Sequence, residues 1–268
     1  MASDNTSKPK PIFITFDVDG TLIRAVGSNA NKWHKDAFAF AMHEVFSIDT
    51  NIDVIKHHGS TDQLVLADVL KHHGFEETEI WRKMDELKSA MVSFAEEHKA
   101  DAGLGLEILP GVEKLLQTLS ERENIIVALV TGNLEPIAWR KMDTLGIKKY
   151  FTEKNNNFIG GFGSDHTERS ELIKFAAQRS AEAFDLNVSE MHKPGAVFKE
   201  RAHFGDTPND VTAALDGGAI AIALETGVFS GDELQKHFTV PIRCHLLKDL
   251  TDTDAVLHAC GLPEASEL

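Results

Sequence analysis

Cysteine is scarce in this chain. Of 268 residues only Cys244 and Cys260 carry thiols. Two cysteines in separate segments, with no Cys-x-x-Cys spacing, exclude a disulfide framework, so reduced thiols in a reducing compartment are expected. Basic residues are in deficit as well: 27 Lys and Arg stand against 42 Asp and Glu, a formal net charge of −15. That balance argues against a nucleic-acid partner, because phosphate backbones are held by basic patches. It argues equally against an anionic membrane surface. No apolar run reaches the roughly 18 residues of a membrane span. The polar start "MASDNTSKPKP" has no apolar signal-peptide core. Low-complexity tracts and internal repeats are absent too. The expectation is a cytoplasmic globular protein, although a transit peptide removed ahead of residue 1 would leave no trace. Nothing in the sequence sets an oligomeric state. What is present in quantity is apolar residues, 42% of the chain, enough for one large domain or two modest ones.

Hydrophobic patterning divides the chain. "IFITF" reads as a short buried strand. From Gly27 to Ala102 no convincing strand interrupts. "NKWHKDAFAFAMHEVF" places Trp33, Ala37, Phe40, Ala41 and Val45 at helical spacing. "STDQLVLADVLKHHGF" offers Ser60, Thr61 or Asp62 as N-cap and Gly74 as a stop. "TEIWRKMDELKSAMVSFAEEHKA" reads as one amphipathic helix with Ile80, Met84, Leu87, Met91 and Phe94 on a single face. The grammar then changes. Apolar, non-alternating stretches ("NIIVALVTGN", "AHFGDTPND", "AIAIALETG") alternate with helical ones ("LPGVEKLLQTLSERE", "PIAWRKMDTLGI", "SELIKFAAQRSAEAF", "VTAALDGG"). Strands buried on both faces and separated by helices predict a parallel sheet covered on both sides. The predicted fold class is therefore α/β, a Rossmann-like parallel sheet with an all-helical insertion. The core domain is expected at residues 1–24 and 108–268, and the insertion at 25–107. The glycines of "DAGLGLEILPG" suit a hinge or an ordinary loop.

Three apolar stretches end in polar clusters: "FDVDGT", "LVTGN" and "FGDTPND". Ligands of open parallel sheets bind outside the carboxyl ends of the strands, where these clusters would meet. Singly each has a plainer reading: Asp-Gly is turn chemistry, Thr-Gly-Asn suits a strand-to-helix cap, and Asp-Thr-Pro-Asn-Asp suits a helix N-cap. Jointly, at three strand ends, they point to a site. Asp17 and Asp19 lie two residues apart, so in an extended segment both carboxylates emerge on one side. A carboxylate can attack phosphorus and split one hard step into two, and a neighbouring carboxyl can move the protons.

With these residues in view, the chain resembles the haloacid dehalogenase-like hydrolase superfamily over nearly its whole length. "DVDGT" is similar to that family's first motif, the Thr of "VTGN" to its second and "GDTPND" to its fourth. The helical insertion resembles the family's C1 cap. The resemblance implies Asp17 as nucleophile and Asp19 as proton donor and acceptor. It implies Mg²⁺ held by Asp17, Asp206 and the Asp19 carbonyl, with Asp210 binding or orienting through water and Asn209 a further candidate beside it. A purely N-capping role for Asp210 stays open. The Thr131 hydroxyl would hold the phosphate, and Asn133 is a weaker candidate for the same pocket. The family also needs a basic residue between its second and fourth motifs. Arg169, at a helix start, is preferred to Lys193 of "HKPG" and to Lys174 within the helix.

The insertion is expected to choose the substrate. "HHGSTDQLVLADVL" resembles a cap segment of phosphoglycolate phosphatase-like members, so Gly59, Ser60 and Thr61 are specificity candidates, with a capping-only role equally open. Adjacent His57 and His58 should point in different directions, which makes one shared metal site improbable. Trp33 and His34 fall near the cap entrance, with Trp33 expected in the core. The function implied is a Mg²⁺-dependent phosphatase on a small phosphorylated metabolite, with 2-phosphoglycolate the first guess. A phosphomutase of the β-phosphoglucomutase kind shares the Asp-x-Asp pattern. A dehalogenase or a phosphonate hydrolase does not need Asp19. A non-catalytic binding protein would have lost one of Asp17, Asp19 and Asp206, all of which are present.

Overall fold

The computed structural model describes residues 9–263; residues 1–8 of the polar start lie outside it. In chain order the strands are β1 (Ile12–Phe16), β2 (Ile23–Ala25), β3 (Leu106–Ile108), β4 (Ile125–Thr131), β5 (Glu153–Lys154), β6 (Asn157–Phe158), β7 (Gly160–Phe162), β8 (Glu200–Gly205), β9 (Ile220–Leu224) and β10 (Cys244–Leu247). The helices are α1 (Lys32–Phe46), α2 (Asp62–His72), α3 (Glu77–Arg82), α4 (Met84–Glu97), α5 (Val112–Ser120), α6 (Glu135–Thr144), α7 (Arg169–Ala183), α8 (Pro208–Asp216), α9 (Gly231–Gln235) and α10 (Thr253–Ala259).

Six strands form one sheet in the order β10-β9-β8-β1-β4-β7, and every pairing in it is parallel. β1 sits in the middle, Ile14 opposite Val127 of β4 on one side and Ala202 of β8 on the other. Its residues divide between two buried clusters. Ile12, Ile14 and Phe16 pack with side chains of α5, α6 and α10, and Phe13 packs with side chains of α7 and α8. A strand flanked by helices on both faces must be apolar throughout, which is why "IFITF" does not alternate. The edge strands β7 and β10 were not expected. "GGF" reads as a loop because glycine carries no strand propensity, and "CHLL" is too short to show a period.

Helices α1–α4 bury a separate cluster around Phe38, Met42, Leu66, Leu70, Leu87 and Met91, joined by Leu134 and Ile137 from the start of α6. Trp33 is in this core, as expected. The antiparallel pair β2–β3, with Arg24 opposite Glu107, connects these helices to the sheet. The single helix expected across residues 78–100 is broken: Lys83 leaves helical geometry (φ −101°, ψ 7°) between α3 and α4. Its ammonium donates to the Val45 carbonyl (3.2 Å) and lies 4.7 Å over the Phe46 ring, tying the junction of α3 and α4 to the end of α1. A tertiary contact thus overrides a good local helical pattern.

Candidate active site

Because β8, β1 and β4 are neighbours and parallel, their carboxyl ends lie along one edge of the sheet, and "FGDTPND", "FDVDGT" and "LVTGN" come together there. The Asp17 amide still donates to Phe204 of β8 (2.9 Å), so the strand's hydrogen bonding carries the first acid into place. The chain then turns: the amides of Thr21, Leu22 and Ile23 all donate to the Val18 carbonyl, and Gly20 takes φ +90°. A cavity of about 590 Å³ opens over this edge. Asp17, Asp19, Thr131, Asn133, Arg169 and Asp206 form its floor, and His34, Phe38, Ile52, His57 and Val65 of the helical segment line it too.

The two first-motif acids sit in different surroundings. Asp17 is buried. Its partner is Arg169 at the start of α7, with Nη2 2.5 Å from Asp17 Oδ1 and Nε 2.7 Å from Asp210 Oδ1. Both are charge contacts in which the guanidinium N–H bonds are not aligned on an acceptor. Burial pushes the Asp17 carboxyl up to about 7, and Asp210 and Asp19 add to the rise, against the opposing pull of Arg169. Asp19 turns the other way. Lys141 Nζ on α6 donates to both of its oxygens (2.9 and 2.7 Å) and to Asn133 Oδ1 (2.9 Å). Burial would raise the Asp19 carboxyl, yet the charge of Lys141, then that of His34, and the hydrogen bonds of Lys141 and Asn133 hold it below the usual carboxylate range.

Asp17, Asp206 and Asp210 each present a carboxylate oxygen within 4.8 Å of the other two, a group able to hold a metal ion. Burial and the charges of Asp210 and Asp17 push Asp206 well above its ordinary range. Burial acts the same way on Asp210, but Arg169 and His203 outweigh it and hold that acid low. Three buried carboxylates against one guanidinium leave an excess of negative charge that a divalent cation matches, and oxygen ligands suit a hard cation. The backbone keeps the space open. A Cβ on Gly20 would stand 2.3 Å from Asp206 Oδ2, and one on Gly227 only 1.7 Å from it. These residues therefore fit a divalent ion, while the Asp19 side chain stays out of the group.

Asp210 also completes a capping box at the start of α8: the Thr207 amide and hydroxyl donate to its Oδ2 (3.0 and 2.7 Å). The same residue that caps α8 also presents a carboxylate oxygen to the Asp17–Asp206 group, with His203 packed behind it (3.4 Å). Thr131 ends β4 buried in the floor of the cavity. Asn133, proposed from the sequence for the phosphate pocket, has its carbonyl oxygen taken by Lys141. Lys174 and Lys193 lie at the surface, paired with Glu171 and Glu190, away from the cavity. Asn209 is exposed and donates to the Gly59 carbonyl (2.9 Å).

The segment Gly59–Gln63 rests on the sheet edge. Arg169 Nη1 donates to the Gly59 carbonyl (3.3 Å), and the Asp62 amide donates to Gly132 (2.8 Å). The approach demands glycine at 132, where a Cβ would meet the Ser60 carbonyl at 2.4 Å. Asp62, buried, accepts from the Leu134 amide (2.8 Å) and contacts His34 Nε2 (3.1 Å). Thr61 is the N-cap of α2, but its buried hydroxyl makes no cap bond; Ser60 faces the cavity. His57 and His58 do not point apart as expected: their rings lie 5.1 Å apart, tilted 32°, and both line the cavity. Neither belongs to a metal-holding group among the described residues.

Sequence reasoning missed Lys141. "PIAWRKMDTLGI" reads as an ordinary amphipathic helix, and the only available signal was a lysine on the face that also carries Ala138 and Met142.

A family model described as haloacid dehalogenase-like hydrolase matches residues 13–218. Comparison with curated proteins finds no match. Several solved structures share the fold. One described as a predicted phosphatase from Clostridium acetobutylicum has a TM-score of 0.61 at 14% identity, covering 94% of this chain and 100% of its own. A predicted phosphoglycolate phosphatase from Haemophilus somnus 129pt has 0.59 at 19%, covering 94% and 99%. A β-phosphoglucomutase from Clostridium difficile has 0.57 at 18%, covering 94% and 97%. At these identities the likeness concerns the fold.

Proposed function

This chain belongs to the haloacid dehalogenase-like hydrolases, and from that premise we propose that it is a Mg²⁺-dependent phosphatase of a small phosphomonoester. One observation carries the reading: two carboxylates two residues apart share the floor of a 590 Å³ cavity, yet each has its own cation. Paired acids held in different surroundings are suited to different tasks.

Asp17 attacks phosphorus, forming an aspartyl-phosphate, and is freed by water in a second step. Asp19 gives a proton to the departing alcohol and takes one from that water. In the substrate-free arrangement Lys141 keeps Asp19 ionised, the form the second step uses. A phosphate dianion arriving beside it raises its proton affinity, as the first step requires. Arg169, which already stands against Asp17, and the Thr131 hydroxyl bind the phosphate oxygens. Asp17, Asp206, the Asp19 carbonyl and Asp210 would hold Mg²⁺, which supplies positive charge against the phosphate oxygens when bound. Residues 25–107 act as the cap over a core of residues 1–24 and 108–268. Gly59 and Ser60 line the cavity and would meet the substrate, while Thr61 lies buried beside them as the N-cap of α2. The substrate on this reading is as small as 2-phosphoglycolate or a sugar phosphate, in keeping with a cavity of about 590 Å³.

Purified protein with Mg²⁺ should release inorganic phosphate from a panel of phosphorylated metabolites that includes 2-phosphoglycolate. Interconversion of sugar phosphates without phosphate release would make it a mutase instead. No reaction with any ester would remove the reading.

A further inference from the structure

Among the described residues Lys141 is the lysine with no solvent exposure at all. A buried ammonium is costly unless it is paired and fully hydrogen-bonded. Its three N–H bonds face three acceptors, both Asp19 oxygens and Asn133 Oδ1, at 2.7 to 2.9 Å. Nothing remains for a phosphate oxygen unless one of these bonds breaks. Arg169 offers the contrast, since its Nε and Nη2 lie against carboxylates without aligned hydrogen bonds. The two cations therefore do different work. Asp19 is also the acid of this edge that stays outside the Asp17–Asp206–Asp210 group, and its side chain keeps 37% exposure to the cavity.

We propose that Lys141, with Asn133, is a positioning residue for Asp19. It draws this carboxylate toward α6, out of the metal-holding group, and fixes it facing the leaving-group oxygen. The inference rests on the phosphatase reading above. On that reading the P–O bond to the alcohol breaks as the Asp17–phosphorus bond forms, and the proton of Asp19 goes to the departing oxygen. A misplaced Asp19 therefore matters most where the leaving group is poor. An alkoxide must be protonated as it departs, whereas p-nitrophenolate leaves as the anion. A lysine that bound phosphate would affect both kinds of ester alike.

Lys141→Met keeps the length of the stem and removes the charge. kcat/KM covers the steps through departure of the alcohol, so it isolates this proton transfer. For an alkyl phosphate such as 2-phosphoglycolate it should fall about 100-fold, and for p-nitrophenyl phosphate it should stay within about threefold. The second step needs Asp19 for either ester, so the variant should show a burst of p-nitrophenol followed by a slower steady state. Lys141→Arg should restore part of the alkyl-ester rate. Asn133→Leu should show the same split between esters, which keeps the inference open to refutation if the Lys141 variants do not fold. Equal losses on both esters, with no burst, overturn the inference and leave the phosphatase reading standing. Failure of the wild-type protein to hydrolyse either ester overturns both.

Discussion

Asp17 and Asp19 are separated by one residue and end up in opposite kinds of corner. The Asp17 corner is rich in acid. Three buried carboxylates lie around one guanidinium, which is in ion-pair contact with two of them, Asp17 and Asp210. The Asp19 corner is balanced, with one carboxylate, one ammonium and one amide whose hydrogen bonds are satisfied. The first corner has charge left to neutralise, which suits a cation. The second has nothing to spare, which suits a group that must keep its place while protons pass through it. An acid-rich cluster and a charge-balanced one in the same cavity thus separate binding from positioning.

The comparison can be broken most severely at the nucleophile. Asp17→Asn should lower phosphate release by about 10⁴-fold or more on every ester. Activity that survives would remove the division of labour between the corners. Arg169→Ala should cost about 10³-fold in kcat/KM by removing the one cation of the acidic corner, with Arg169→Lys intermediate because it lacks the planar fork. If Lys matched Arg, point charge alone would suffice there. Asp206→Asn should weaken divalent binding about 100-fold, read by titration calorimetry with Mn²⁺, while Lys141→Met leaves that affinity near wild type. Similar losses in the two variants would merge the corners into one. The smallest effect is expected at the contact between the helices and the sheet. Asp62→Ala leaves the buried Leu134 amide without its acceptor and should cost about 2 kcal/mol in thermal unfolding. An unchanged melting temperature would show that this contact contributes nothing to the fold.

Much of the sheet was legible because its evidence is local. β1, β4 and β9 are unbroken apolar runs ending in polar residues, and the helices between them carry their caps and stops in sequence. The preference for Arg169 over Lys174 and Lys193 rested on its place at the start of that helix and on the resemblance to a family branch in which Arg serves; the structure sets its guanidinium against Asp17. What escaped was whatever depends on a partner far along the chain. Lys83 bends its helix because Val45 and Phe46 lie beneath it. The strand "GGF" exists because β4 offers it an edge to pair with. The rings of His57 and His58 lie together because the loop that carries them folds over the cavity. Lys141 looks like any helix lysine until its helix is laid beside β1.

The sequence by itself determined the family, the parallel sheet and the three polar strand ends, two of them acid-bearing, because alternating buried strands and helices leave few other arrangements and the polar endings are local features. The tertiary structure alone decided which cation serves which carboxylate. Asp19 and Lys141 are 122 residues apart in the chain, and only the packing of α6 beside β1 brings an ammonium out of water and onto that acid.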